Sequence, residues 1–94
     1  MWTLDEALPF IRQMSDAAKT CGFSVALYGS VLERGESNKD LDVFFVEQNP
    51  DCDVARCRDE IRKLPQVRHF GYCSIKLKDG KQVDAQFLLT RKRE

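Results

Sequence analysis

Ninety-four residues make one domain, 1–94, whose small core leaves little room for a deep self-contained pocket. Fifteen Lys and Arg balance fifteen Asp and Glu, which excludes a globally basic nucleic-acid binder, and 43% hydrophobic with 32% charged residues excludes a disordered chain. No apolar run approaches the ~20 residues of a membrane helix, and Met1-Trp2-Thr3-Leu4-Asp5-Glu6 lacks a basic segment leading into an apolar one, so a cytoplasmic protein is expected.

The first predicted element is a helix. Thr3 with Glu6 forms a capping box, and Leu4, Leu8, Ile11, Met14, Ala18 and Cys21 recur at three- and four-residue steps up to Gly22. Pro9 removes a backbone donor, so the regular helix either starts near it or bends there. Phe23 to Tyr28 is a short apolar run, rich in β-branched and aromatic residues, that predicts a buried strand. It runs into Gly29-Ser30, after which Val31 to Arg34 suffices for one helical turn and Gly35 to Asp40 is loop by composition.

Leu41 to Glu47 predicts a second strand, broken by Asn49-Pro50-Asp51. Asp51 or Asp53 can cap a further helix carrying Val54, Cys57, Ile61 and Leu64, which Pro65 stops. Val67 to Leu89 reads as two strands joined by a tight Lys78-Asp79-Gly80-Lys81 turn, with Arg91-Lys92-Arg93-Glu94 as a basic tail. The expected fold class is α/β (α+β), in the order αβ(α)βαββ, a small mixed sheet with helices packed on it.

The zero net charge conceals an asymmetry. Residues 1–50 carry four bases and eight acids, whereas residues 51–94 carry eleven bases and seven acids. The four cysteines lack zinc-ligand spacing and a secretory context, so they read as reduced thiols acting as small apolar residues. His69, Phe70 and Tyr72 could form a base-stacking group, but aromatics alternating on a strand are more commonly core.

The informative stretch is Leu27 to Val46. Asp40 and Asp42 stand two apart at the mouth of a strand, which puts both on one face. Carboxylates so close repel unless a cation or a shared proton relieves them, and a hard divalent ion prefers such oxygen ligands. Upstream, Gly29 permits close backbone approach and Ser30 offers a hydroxyl suited to phosphate. Downstream, Asp84 lies inside the apolar run Gln82 to Leu89, where an unaccompanied carboxylate is costly.

Leu27-Tyr28-Gly29-Ser30, nine intervening residues, then Asp40-Leu41-Asp42-Val43 and a later Asp84 resemble the nucleotidyltransferase superfamily that includes DNA polymerase β. The likeness is strongest to its minimal members, the antitoxin-type and kanamycin-nucleotidyltransferase-like small domains, and Arg34-Gly35 fits their intervening Arg-Gly. It covers 23–47 well and 80–89 loosely. Lys39 stands where many minimal members carry Ser, with Ser37 two positions further back. The resemblance implies a nucleotidyltransferase fold with two Mg²⁺ ions, or Mn²⁺, held by Asp40, Asp42 and Asp84. It implies nucleoside triphosphate contacts from Gly29 and Ser30, with Arg34 and Lys39 as further phosphate contacts. The implied reaction moves a nucleoside monophosphate from ATP or another triphosphate to an acceptor hydroxyl on protein, nucleic acid or a small molecule.

Three other readings remain open. A module of the same fold could bind a small helical protein, or a second copy of itself, without turnover. A silent relative could keep the carboxylates for structure. A ferredoxin-like regulatory domain would explain the helices and hairpin but leave the three aspartates as coincidences.

Overall fold

The computed structural model describes residues 2–38 and 40–89. Ten elements follow in chain order: β1 (Trp2–Thr3), α1 (Leu4–Lys19), β2 (Phe23–Tyr28), α2 (Ser30–Arg34), β3 (Glu36–Ser37), β4 (Leu41–Glu47), α3 (Val54–Arg62), β5 (Val67–Phe70), β6 (Ser74–Leu77) and β7 (Gln82–Leu88). The Arg91–Glu94 tail lies outside the described residues.

Five strands form one mixed sheet in the order β2-β4-β7-β6-β5, in which only the β4–β7 pair is parallel. The described residues thus form a small α+β domain with three helices. Its element order departs from the expected one at the C-terminal end, where Val67 to Leu89 forms three strands rather than two. Gly71-Tyr72-Cys73 turns the chain there, with Gly71 N–H donating to the Ser74 carbonyl at 3.0 Å. The Asp79-Gly80 hairpin does join β6 to β7, and Asp79 Oδ1 accepts from Lys81 N–H at 2.9 Å.

Helix α1 starts as its capping box directs. Thr3 Oγ1 accepts from Glu6 N–H at 3.2 Å, and α1 runs on through Pro9 without interruption. Pro9 and Asp5 are both exposed, so water can satisfy the carbonyl that the missing N–H leaves free. Asp53, rather than Asp51, caps α3, its Oδ1 accepting from Arg56 N–H at 3.1 Å. That helix ends at Arg62, ahead of Pro65.

Alternation then sorts the sheet's two faces. Leu41, Val43, Phe45, Val83 and Ala85 are buried with Phe10 and Met14 of α1 and Cys57 and Ile61 of α3. Helix α1 packs on β2 and α3, and α3 packs on β5, so both long helices cover this one face. The intervening residues Ser24, Ala26, Tyr28, Asp42, Phe44, Asp84 and Gln86 fall on the other face, on which neither α1 nor α3 packs. Tyr28 and Phe44 stack there with ring centroids 4.2 Å apart.

A second, two-stranded ladder pairs β1 with β3, matching Trp2 with Ser37 and Thr3 with Glu36. Leu4 N–H also donates to the Gly35 carbonyl at 2.8 Å. The segment expected as plain loop before Asp40 is therefore pinned to the start of α1. No helix among the described residues is long and apolar enough to cross a membrane.

Candidate functional site

Three carboxylates meet on the open face because of strand register. In the parallel β4–β7 ladder Asp42 is the Cα partner of Asp84, and the same Asp42 faces Tyr28 across the β2–β4 ladder. Asp40 precedes Asp42 by two residues and lies on the same side. Gln82, two residues before Asp84, donates from Nε2 to Asp40 Oδ2 at 3.1 Å and lies 3.5 Å from Asp84 Oδ1. The Gln82 amide thus ties the two aspartates on separate strands together. Sequence reasoning missed Gln82, although the same two-residue spacing that singled out Asp40 would have placed it beside Asp84.

Asp40 and Asp42 both lie within the electrostatic reach of Asp84. Partial burial raises the Asp40 carboxyl above the usual range, and the Asp84 charge and a hydrogen bond with Asp84 add to the effect. Asp42 is raised by burial, then by Asp84 and Asp40. The Tyr28 phenol is raised by burial and by the charges of Asp42 and Asp84. The ion pairs among the described residues, Arg62–Asp59, Lys63–Glu60 and Lys81–Glu6, involve none of these three carboxylates.

Gly29 sits against Asp42. Its φ of +80° lies in the left-handed region, and a Cβ there would come within 2.5 Å of Asp42 Oδ2. Ser30 opens α2 next to it, and Arg34 Nη2 donates to Ser30 Oγ at 2.9 Å. Ser30 and Arg34 are therefore already paired, one turn apart, directly after Gly29. Lys39 lies outside the described residues.

The donor set suits a hard divalent ion: carboxylate oxygens of high mutual repulsion, with no competing thiol or imidazole among them. As they stand, no three His, Cys, Asp or Glu side chains among the described residues converge as a ready-made metal cage. Mutual charge and one glutamine link the aspartates. Ser74, opposite Asp84 on β6, has a buried Oγ without a hydrogen-bond partner.

Other sequence-level candidates separate. Phe70 is fully buried, whereas Tyr72 is 87% exposed beneath the Arg58 guanidinium, 5.7 Å from its ring centre. Cys21, Cys52 and Cys57 are buried free thiols, and burial pushes Cys57 up to about 12; Cys73 alone among the four is exposed. A cavity of about 540 Å³ lies between the start of α1 and the β6–β7 hairpin, lined by Trp2, Phe10, Pro65 and Lys81 among others. Asp40, Asp42 and Asp84 are not among the residues that line it. Compared with protein-family models and with curated proteins, the chain matches none.

Proposed function

We propose that the chain is a minimal, divalent-metal-dependent nucleotidyltransferase of the DNA polymerase β-like type. The observation that carries this reading is the parallel register that makes Asp42 and Asp84 neighbours, with Asp40 joined to them through Gln82. The Gly29-Ser30 turn at the end of β2 lies against the same carboxylate, as the motif resemblance requires.

Asp40, Asp42 and Asp84 would hold Mg²⁺ or Mn²⁺. A bound ion of this kind supplies neutralisation of the triphosphate and a lowered acceptor-hydroxyl pKa. Gln82 keeps Asp40 facing Asp84, and Gly29, lacking a Cβ, leaves room for the Asp42 carboxylate itself. Ser30 and Arg34 offer a hydroxyl and a guanidinium to the terminal phosphates, with Lys39 as a further contact. The acceptor oxygen bonds to the α-phosphorus as the bond to pyrophosphate breaks, and Asp84 takes the hydroxyl proton. Positioning and charge compensation carry most of such a reaction.

The test is incubation with Mg²⁺ or Mn²⁺ and each α-labelled nucleoside triphosphate, offering the chain itself, a partner protein and total RNA as acceptors. Label is expected on one acceptor. Asp42→Asn should remove transfer by at least about 100-fold while circular dichroism stays unchanged. Undiminished transfer in that variant would overturn the mechanism.

A second reading, a partner-binding module of the same fold without turnover, draws on the lack of a ready-made cage and on the open sheet face. It predicts no label on any acceptor and a stable complex with a small helical protein.

A further inference from the structure

The five-stranded sheet has two edges, and they are built differently. β5 is four residues long, carries Arg68 and His69, follows Pro65 and has a register irregularity against β6 between Val67 and His69. Short length, charge and irregularity are the features that stop a sheet edge from pairing with another chain. β2 has none of them. Its six residues Phe23–Tyr28 include no charge, proline or glycine, and its ladder with β4 runs without a bulge.

One hydrogen bond fixes which way its backbone faces. Gln48 N–H donates to the Gly22 carbonyl at 2.9 Å, which extends the β2–β4 register by one closely bonded pair. Such pairs recur at every second residue of an antiparallel ladder. Ser24, Ala26 and Tyr28 therefore direct their main-chain groups at β4. Phe23, Val25 and Leu27 direct theirs outward, where no strand among the described residues pairs with them.

We infer that β2 pairs antiparallel with β2 of a second copy of the chain, about a two-fold axis at Val25. This register brings the outward groups into bonded pairs: Val25 with the partner's Val25, and Phe23 with the partner's Leu27. On the open face Ser24 meets the partner's Ala26. A two-fold pairs a surface with itself, and a strand without charge does so without like-charge repulsion. An unrelated strand would need a matching neutral edge, which self-association supplies by symmetry. The axis stands normal to the sheet, so both helical layers lie on one side of the joined sheet and both carboxylate clusters on the other. A strand pair of this length is at the small end of specific interfaces, so association should be concentration-dependent in the micromolar range. The inference stands apart from the nucleotidyltransferase reading.

Sedimentation equilibrium of the full chain from about 1 to about 500 µM tests it, with the mass expected to rise from 10.8 kDa toward twice that value. Amide exchange at Phe23, Val25 and Leu27 should slow over the same range. Val25→Pro removes an outward N–H and leaves the β4 ladder intact, so it should remain a monomer. Because proline can unfold a strand, a second pair of variants decides the register. Ser24→Lys with Ala26→Lys sets like charges opposite one another and should remain monomeric. Ser24→Glu with Ala26→Lys sets opposite charges there and should dimerise at lower concentration than the lysine pair. A chain that stays monomeric throughout, or a dimer that Val25→Pro and the lysine pair leave intact, would overturn the inference.

Discussion

Gly29 shows how much one residue decides in this site. It takes a left-handed backbone, and the space a Cβ would need is occupied by the Asp42 carboxylate. Gly35 has a similar φ of +78° but nothing within 4 Å of where a Cβ would stand. The two glycines thus separate backbone strain from collision. Gly35→Ala should cost about 1 kcal/mol, the strain alone. Gly29→Ala should cost more, on the order of 2–3 kcal/mol, because Asp42 must also move. Urea unfolding of both variants measures the difference, and equal losses would show that Asp42 swings aside freely. At this scale the sequence was informative where spacing alone suffices: Asp40 and Asp42 share a face because they are two apart. The contact between Gly29 and Asp42 was not legible in the same way, because it depends on two strands lying side by side.

At the scale of elements, helix starts were legible from residues within one turn. Thr3 with Glu6 and Asp53 with Arg56 are local arrangements, and both caps form as expected. Pairing of β1 with β3 was not legible, since two-residue strands carry no periodicity and this pair joins segments over thirty residues apart. The extra strand between Val67 and Leu89 was hidden for another reason. Gly71 is a readable breaker, but the apolar alternation on both sides reads as continuous strand. Thr3 belongs both to the α1 cap and to the β1–β3 ladder, whereas Asp53 caps α3 and its N–H bonds the Cys21 carbonyl, away from that ladder. Thr3→Ala and Asp53→Ala should each lower stability by about 1 kcal/mol. Only Thr3→Ala should also speed amide exchange in the segment Glu36–Asn38. Equal exchange there in both variants would show that the ladder does not hold this segment.

For the whole molecule, strand register brings acids from both halves of the chain to one sheet face. Asp84 comes from the basic half of the sequence, yet register sets it beside Asp42. That placement leaves a signature in stability against pH. Asp40 and Asp42 have folded-state values raised above the ordinary carboxylate value of about 4, so between those limits the folded state binds more protons than the unfolded one. Stability contributed by the cluster therefore falls as pH rises through the raised values and is restored below about pH 4. Asp42→Asn should melt higher than the parent chain near pH 7, and the gap should close on acidification. A gap independent of pH would assign the gain to packing rather than charge.

The sole tryptophan of the chain gives this cluster an optical handle. Trp2 is buried, its Nε1–H donates to the Gln82 carbonyl at 2.9 Å, and the side chain of that same glutamine reaches Asp40. A rearrangement that moves Asp40 against Gln82 acts on a residue bonded to the indole. Emission from an unlabelled chain therefore reports on the state of its carboxylates from the helical side of the sheet.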